Sequence, residues 1–192
     1  MNVVAFNGSP REEGNTRFLV NIACEELNAA GIDTEIVHLG GKKLQGCIAC
    51  GKCFELKNHQ CIIQGDCLND CIEKMRNSDG ILMASPTYFG DLTPELKCLI
   101  DRAGMVAKAN GELFKRKVGA PIATARRTGA MHVLDSITHF FTISHMFVVG
   151  SSYWNMGIGL GLGSVEEDDE GIETIRNMAR NMAWLLAKIH RT

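Results

Sequence analysis

Short apolar runs without helical spacing alternate along this chain with segments whose apolar positions recur at helical intervals. Asn2–Asn7 is such a run, halted by Gly8-Ser9-Pro10. From Asn15 to Ala30 the positions Phe18, Leu19, Ile22, Ala23, Leu27 and Ala30 follow a helical stripe, closed by Gly31. Thr34–Leu39, Gly80–Ser85, Lys117–Thr124 and His145–Gly150 repeat the strand pattern. Between them lie helical segments at about Asp66–Asn77, with Asp66 as N-cap, and Gly129–Ser144. Another opens at Thr93-Pro94-Glu95: a capping hydroxyl, then Pro at the first position, then an acid at the positive end. A last helix begins near Ser164 or Glu170 and carries Ile172, Ile175, Met178, Met182, Leu185 and Ile189 on one stripe. Five strand–helix alternations predict an α/β fold, a parallel sheet with helices on both faces. Gly157–Gly163 reads as a mobile loop before the last helix.

A chain of 192 residues suits a single domain over 1–192. Lys and Arg number 20 against 22 Asp and Glu, a net charge of -2, so the balance argues against nucleic acid or an anionic membrane as partner. The first residues show no basic leader, and no apolar stretch has the length of a membrane span. The expectation is a cytoplasmic protein. Its eight cysteines fit a reducing compartment: Cys47, Cys50, Cys53, Cys61, Cys67 and Cys71 crowd one segment, while Cys24 and Cys98 stand alone in helix-like sequence. Crowded thiols point to a metal or redox site, isolated ones to small core residues.

Ligands of open parallel sheets bind beyond the carboxyl ends of the strands. The loop after the first strand, Asn7 to Thr16, feeds a helix N-terminus, where unpaired N–H groups and the dipole suit a phosphate. Ser9, Asn15 and Thr16 add short polar side chains and Arg11 adds charge. The loop is neither a Walker loop nor G-x-G-x-x-G, because its glycines fall at 8 and 14 and no Gly-Lys-Ser/Thr ends it. A plain strand–helix turn is the structural alternative. Ser85-Pro86-Thr87-Tyr88-Phe89-Gly90-Asp91, after the third strand, offers aromatics and backbone donors to a flat ring. Together the two loops point to a mononucleotide with a large flat ring.

Gly8-Ser9-Pro10-Arg11 with Gly14-Asn15-Thr16, then Ser85 to Gly90, then Leu96-Lys97 with Ile100-Asp101-Arg102, resembles the NADPH-dependent FMN reductase family, its iron–sulfur flavoprotein branch in particular. The motifs cover Met1 to Gly104; beyond that the likeness is one of layout. The resemblance implies a three-layer flavodoxin-like fold with strand order 2-1-3-4-5 and a Cys-rich insertion at about 42–65 after the second strand. It implies FMN as cofactor, NAD(P)H as donor, and flavins near the interface of a homodimer or homotetramer. Ser9, Arg11, Asn15 and Thr16 would hold the FMN phosphate, and Pro86, Thr87, Tyr88, Phe89 and Gly90 would line the isoalloxazine. Ala125 and Arg126, in the segment Thr124–Gly129, sit where the family has another flavin-edge loop. Arg126 and Arg127 are alternatively surface charges or partners for a nicotinamide donor's phosphate.

Cys47, Cys50 and Cys53 are spaced by two residues each, and Cys61 follows after seven. A [4Fe–4S] cube needs one thiolate per iron, and a close triplet with a fourth thiol on a longer arm supplies that set. Free or redox-active thiols and a four-thiolate zinc site are the other two readings. Lys42, Lys43, Lys52 and Lys57 flank the loop and would ease a cluster's negative charge, or form a solvated face. Cys67 and Cys71 share a helix face and read as packing residues. His59 is the one histidine placed to test as a ligand; Asp101-Arg102 reads as a structural or interface pair. Tyr153 and Trp154 either cover a neighbouring subunit's flavin or pack on the Gly-rich loop.

No Ser/His/Asp set is present, and no side chain is assigned as nucleophile or base. Flavin would carry the redox chemistry. With a cluster, the expected function is an oxidoreductase passing electrons between FMN and [4Fe–4S], with a ferredoxin-like carrier as partner. Without one, it is a flavin-only NAD(P)H-dependent reductase of flavin or quinone. The reading from another class is a non-enzymatic thiol or metal redox sensor.

Overall fold

The computed structural model describes residues 1–190. Its strands are β1 (Asn2–Asn7), β2 (Asp33–His38), β3 (Gly80–Pro86), β4 (Val118–Ala125), β5 (Phe147–Val148) and β6 (Met156–Ile158). The helices are α1 (Asn15–Ala29), α2 (Lys52–Leu56), α3 (Leu68–Asn77), α4 (Pro94–Ala109), α5 (Ala130–Ile143) and α6 (Asp169–Ile189), with a 3-10 turn at Ser164–Glu167. All strand pairings are parallel and run in the order β2-β1-β3-β4-β5. The doubly wound layout expected from the alternation is present.

Alternate residues of the central strands feed two cores. Val3, Ala5, Leu82 and Ile122 pack with Leu19, Ala23 and Leu27 of α1 and Ile175, Met178 and Met182 of α6. On the other face Val4, Phe6, Ile81 and Met83 meet Ile72 and Met75 of α3, Leu96 and Leu99 of α4, and Phe141 of α5. The α1 and α6 stripes are largely those expected, although Phe18, Ile172 and Leu185 are only half-buried and Ala30, just past α1, and Ile189 are exposed.

The fifth strand differs from expectation. It is cut to Phe147–Val148, and β6 takes the next stretch of the same edge, pairing Ala123–Ala125. Pro121 accounts for the break. On β4 Gly119 accepts from Val149 N and Ala123 donates to Asn155 O, so odd-numbered residues face this edge. Pro121 falls between them and has no N–H to give. The chain leaves the edge there and returns. Gly157–Gly163, expected as a mobile loop, therefore opens in a strand: Gly157 pairs with Thr124.

Two helix starts also differ in detail. Thr93 is the N-cap of α4, with Pro94 and Glu95 as expected, but its hydroxyl donates to Gly8 O at 2.8 Å and ties α4 to the first loop instead of capping. α3 starts after Cys67; of the α3 amides Asp66 reaches Leu68 N alone, at 3.1 Å, and its other oxygen is taken by Arg102 Nη1 and Gln45 N. Inside the Cys-rich insertion the short α2 was not legible from sequence.

Candidate functional site

Asn7, fully buried at the end of β1, shapes the first loop. Its Oδ1 accepts from Ser9 N at 3.0 Å. Burial holds the His38 ring below its usual pKa, so the neutral ring accepts from Asn7 Nδ2 at 3.2 Å. Ser9 Oγ in turn accepts from Arg11 N at 3.1 Å, leaving its hydroxyl hydrogen free. Gly14 then caps α1 in an extended conformation without a side-chain cap. Among the described residues, no acceptor serves the amides of Asn15, Thr16 and Arg17; Phe18 N is the first to bond back, to Gly14 O. Three amides at a positive helix end form an anion cradle.

Thr16 is buried and its Oγ1 lies 2.7 Å from Thr124 Oγ1 at the end of β4. The two hydroxyls own two hydrogens and use one between them, so one remains for a ligand. Asn15 Nδ2 donates to Gly161 O at 2.9 Å, while its Oδ1 is buried without a partner. A buried acceptor lacking a donor fits a hydroxyl-bearing ligand such as a ribityl chain.

These groups line one recess of about 180 Å³ with Ser9, Pro10, Arg11, Gly14, Pro86, Thr87, Tyr88, Ala125, Arg126, Gly159 and Leu160. Every phosphate residue expected from sequence is there, as are Pro86, Thr87, Tyr88, Ala125 and Arg126. Phe89 and Gly90 are not. Both have positive φ, in the tight turn that bridges Tyr88 and Asp91, and this turns the Phe89 ring wholly into solvent (112% exposed). Sequence reasoning missed Gly159 and Leu160. The one signal was the Gly-rich stretch itself: a Cβ on Gly159 would lie 2.8 Å from Asn15 Nδ2.

A second recess is formed by the Cys-rich insertion against α4. Cys47, Cys50, Cys53 and Cys61 all line it, with Ile48, Ile62, Ile63, Met105, Val106 and Arg102. Ala49, at positive φ, donates its amide to Cys47 Sγ at 3.4 Å. Burial pushes the Cys53 thiol up. The four thiols share this wall but do not converge: among the described residues no three His, Cys, Asp or Glu side chains are grouped closely enough to hold a metal ion. His59 does not line the recess; its amide donates to Asn110 Oδ1. Cys67 and Cys71 lie outside it as well; burial, then Cys67, pushes the Cys71 thiol up to about 12, as befits a packing residue. Cys98, expected as a core residue, is half-buried beneath Gly46 of the insertion. Asp101 and Arg102 do not pair with each other; Asp101 meets Lys97, and Arg102 meets Asp66. Tyr153 and Trp154 are exposed and line a further recess with Pro121 and Val148.

An anion cradle at the first helix, an aromatic-edged strand loop beside it and a four-thiol recess on the adjacent insertion are thus placed by one sheet edge and the helix that follows. The family model for NADPH-dependent FMN reductase matches residues 1–161. The chain belongs to that family. It is an oxidoreductase of the FMN-binding flavoprotein type. An iron-sulfur flavoprotein of Methanocaldococcus jannaschii is 36% identical over 198 residues, covering 100% of both chains. Another, from Methanosarcina thermophila, is 32% identical over 100% of this chain and 98% of its own. Among solved structures, RosB with a bound riboflavin-5'-phosphate derivative superposes with a TM-score of 0.74 at 18% identity, over 100% of this chain and 81% of that one. It shares the fold. No described helix is long and apolar enough to cross a membrane.

Proposed function

We propose that this FMN reductase relative binds its flavin phosphate on the α1 amides and a [4Fe–4S] cluster on Cys47, Cys50, Cys53 and Cys61, and that it exchanges electrons between the two. The gathering of those four cysteines on one recess carries the reading. Four thiols match four irons, and the Ala49 amide on Cys47 Sγ is the kind of donor that tunes a ligating thiolate. The full-length relatives named iron-sulfur flavoprotein support it. When bound, flavin supplies the junction between two-electron and one-electron chemistry. The chain's part is to fix both groups. Ser9, Arg11, Asn15 and Thr16 hold the phosphate; Pro86 to Tyr88, with Ala125 and Arg126, border the ring. NAD(P)H or a ferredoxin-like carrier is the proposed electron source.

The phosphate recess, at about 180 Å³, is smaller than the roughly 300–1,000 Å³ of a complete small-molecule site. Tyr88 and Phe89 stand exposed at its edge. We therefore assign the flavin ring to a subunit interface, in a homodimer or homotetramer that covers this edge. The alternative, a flavin-only reductase with free thiols, is favoured by one observation: the four thiols do not converge.

An anaerobic visible spectrum with iron, sulfide and zinc analysis decides between them. Flavin bands over a broad brown shoulder, with iron and acid-labile sulfide, are the expected result. Flavin bands without iron leave the flavin-only reading, and stoichiometric zinc rejects both accounts of the loop.

A further inference from the structure

Arg102 heads the fully buried side chains by size. Its Nη1 donates to Asp66 Oδ2 at 2.5 Å and to Gln45 O at 3.2 Å, and its Nη2 donates to Ile63 O at 2.9 Å. Gln45, Ile63 and Asp66 stand at the two ends of the Cys-rich insertion, so one guanidinium on α4 clasps both. That clasp uses only the two terminal nitrogens. Nε is equally buried and has no partner. A guanidinium N–H cannot be relieved by deprotonation, so an orphaned one calls for an acceptor.

The side chain lines the recess with Cys47, Cys50, Cys53 and Cys61. The acceptors that chemistry would bring there are thiolate and sulfide sulfurs. Beyond holding the loop, therefore, Arg102 presents a fixed positive charge and a spare donor to the wall where the cluster is proposed to sit. Reduction adds one negative charge to such a cluster, and a buried cation favours that state. Asp66, paired with the same guanidinium, opposes it.

We infer that Arg102, through its Nε–H and its charge, sets the reduction potential of the cluster proposed on these four cysteines, with Asp66 as the opposing term. The inference rests on the cluster reading above. Its test is an EPR-monitored redox titration of the holoprotein, with iron content measured on each variant. Arg102→Gln is expected to lower the cluster potential. Asp66→Asn, which removes the charge at nearly the same shape and keeps one acceptor oxygen, is expected to raise it. A flavin potential measured in parallel should stay fixed, because the two recesses share no residue. A clasp of purely structural value would lower iron content in both variants without moving the potentials in opposite directions. If Arg102→Gln fails to fold, Asp66→Asn decides: an unmoved or lowered potential overturns the inference. Iron-bearing protein with unshifted potentials overturns this inference alone, whereas iron-free wild-type protein removes the cluster reading together with it.

Discussion

Thr16 Oγ1 and Thr124 Oγ1 face each other at 2.7 Å, 108 residues apart in sequence, and join the first turn of α1 to the end of β4. Thr124 O also accepts from Thr87 N at 2.8 Å and from Thr87 Oγ1 at 3.0 Å. One residue thus ties the start of α1 to the loop after β3. Thr16→Ala should weaken FMN binding by about tenfold or more, the loss typical of a hydrogen bond to a charged group. Thr124→Val, nearly the same shape, should cost a smaller factor, because it removes the hydrogen bond that orients Thr16 but leaves the Thr16 hydrogen for the ligand. Fluorescence titration of apoprotein with FMN measures both. Unchanged affinity in the two variants would remove the hydroxyl pair from the site.

Arg11 is exposed on the rim of the same recess. Its contribution to a bound phosphate is therefore Coulombic and screened by salt. Arg11→Ala is expected to weaken FMN binding about fivefold in low salt, on the scale of roughly 1 kcal/mol for an exposed pair. The difference from wild type should shrink as salt is added. A salt-independent loss would mean that Arg11 acts through loop shape.

The parallel sheet and its two core faces were legible because each strand and helix states its own periodicity, whereas the strand order came from the family resemblance. The residues expected around a phosphate line one recess for a related reason: they lie within one loop and one helix turn, so their adjacency in sequence is adjacency in space. What could not be read depends on contacts between distant segments. Pro121 marked a defect in β4, yet which neighbour lay on its N–H side is a property of the assembled sheet. Gly159 and Leu160 reach the recess only because β6 returns to β4. Phe89 looked like a ring-stacking residue, and only the positive φ of the tight turn sends it outward. The Cys spacing picked out four thiols that line one recess, but the fastening of their loop by Arg102 spans distances that no spacing rule covers.

Gly40 illustrates such a contact and gives a sharp test. A Cβ placed on it would lie 1.8 Å from Ser9 O and 2.7 Å from Pro10 Cα, inside the backbone of the phosphate loop. Backbone cannot swing aside as a side chain can. Gly40→Ala should therefore displace the loop, destabilise the fold by roughly 3 kcal/mol and abolish measurable FMN binding. Gly41→Ala is the control. Gly41 has a φ of +72° with open space around its would-be Cβ, so the cost is confined to backbone strain, about 1 kcal/mol, with FMN affinity kept. Equal effects of the two substitutions on FMN affinity would show that the close approach to Ser9 is immaterial.

Glu26 joins α1 to α6, and its titration predicts part of the acid sensitivity of the fold. Its Oε1 accepts from Arg176 Nη1 at 2.8 Å and its Oε2 from Arg180 Nε at 3.1 Å, and Arg180 reaches on to Glu173 at 3.0 Å. The hydrogen bond from Arg176, then that from Arg180, holds the Glu26 carboxyl below its ordinary value. In the unfolded chain a glutamate titrates near about 4.3. Between that value and the lower folded one, the unfolded state binds more protons, so stability falls as pH drops through this window. The stabilisation is complete above the unfolded value and gone once pH passes below the folded one. Glu26→Gln should cost about 1 kcal/mol near neutrality, the scale of a partly exposed charge network, and almost nothing at the acid end. Urea midpoints for wild type and variant across the acid range, at constant m, isolate this difference from the other carboxylates. A gap between the two proteins that persists unchanged at low pH would assign the role of Glu26 to packing between α1 and α6 instead of charge.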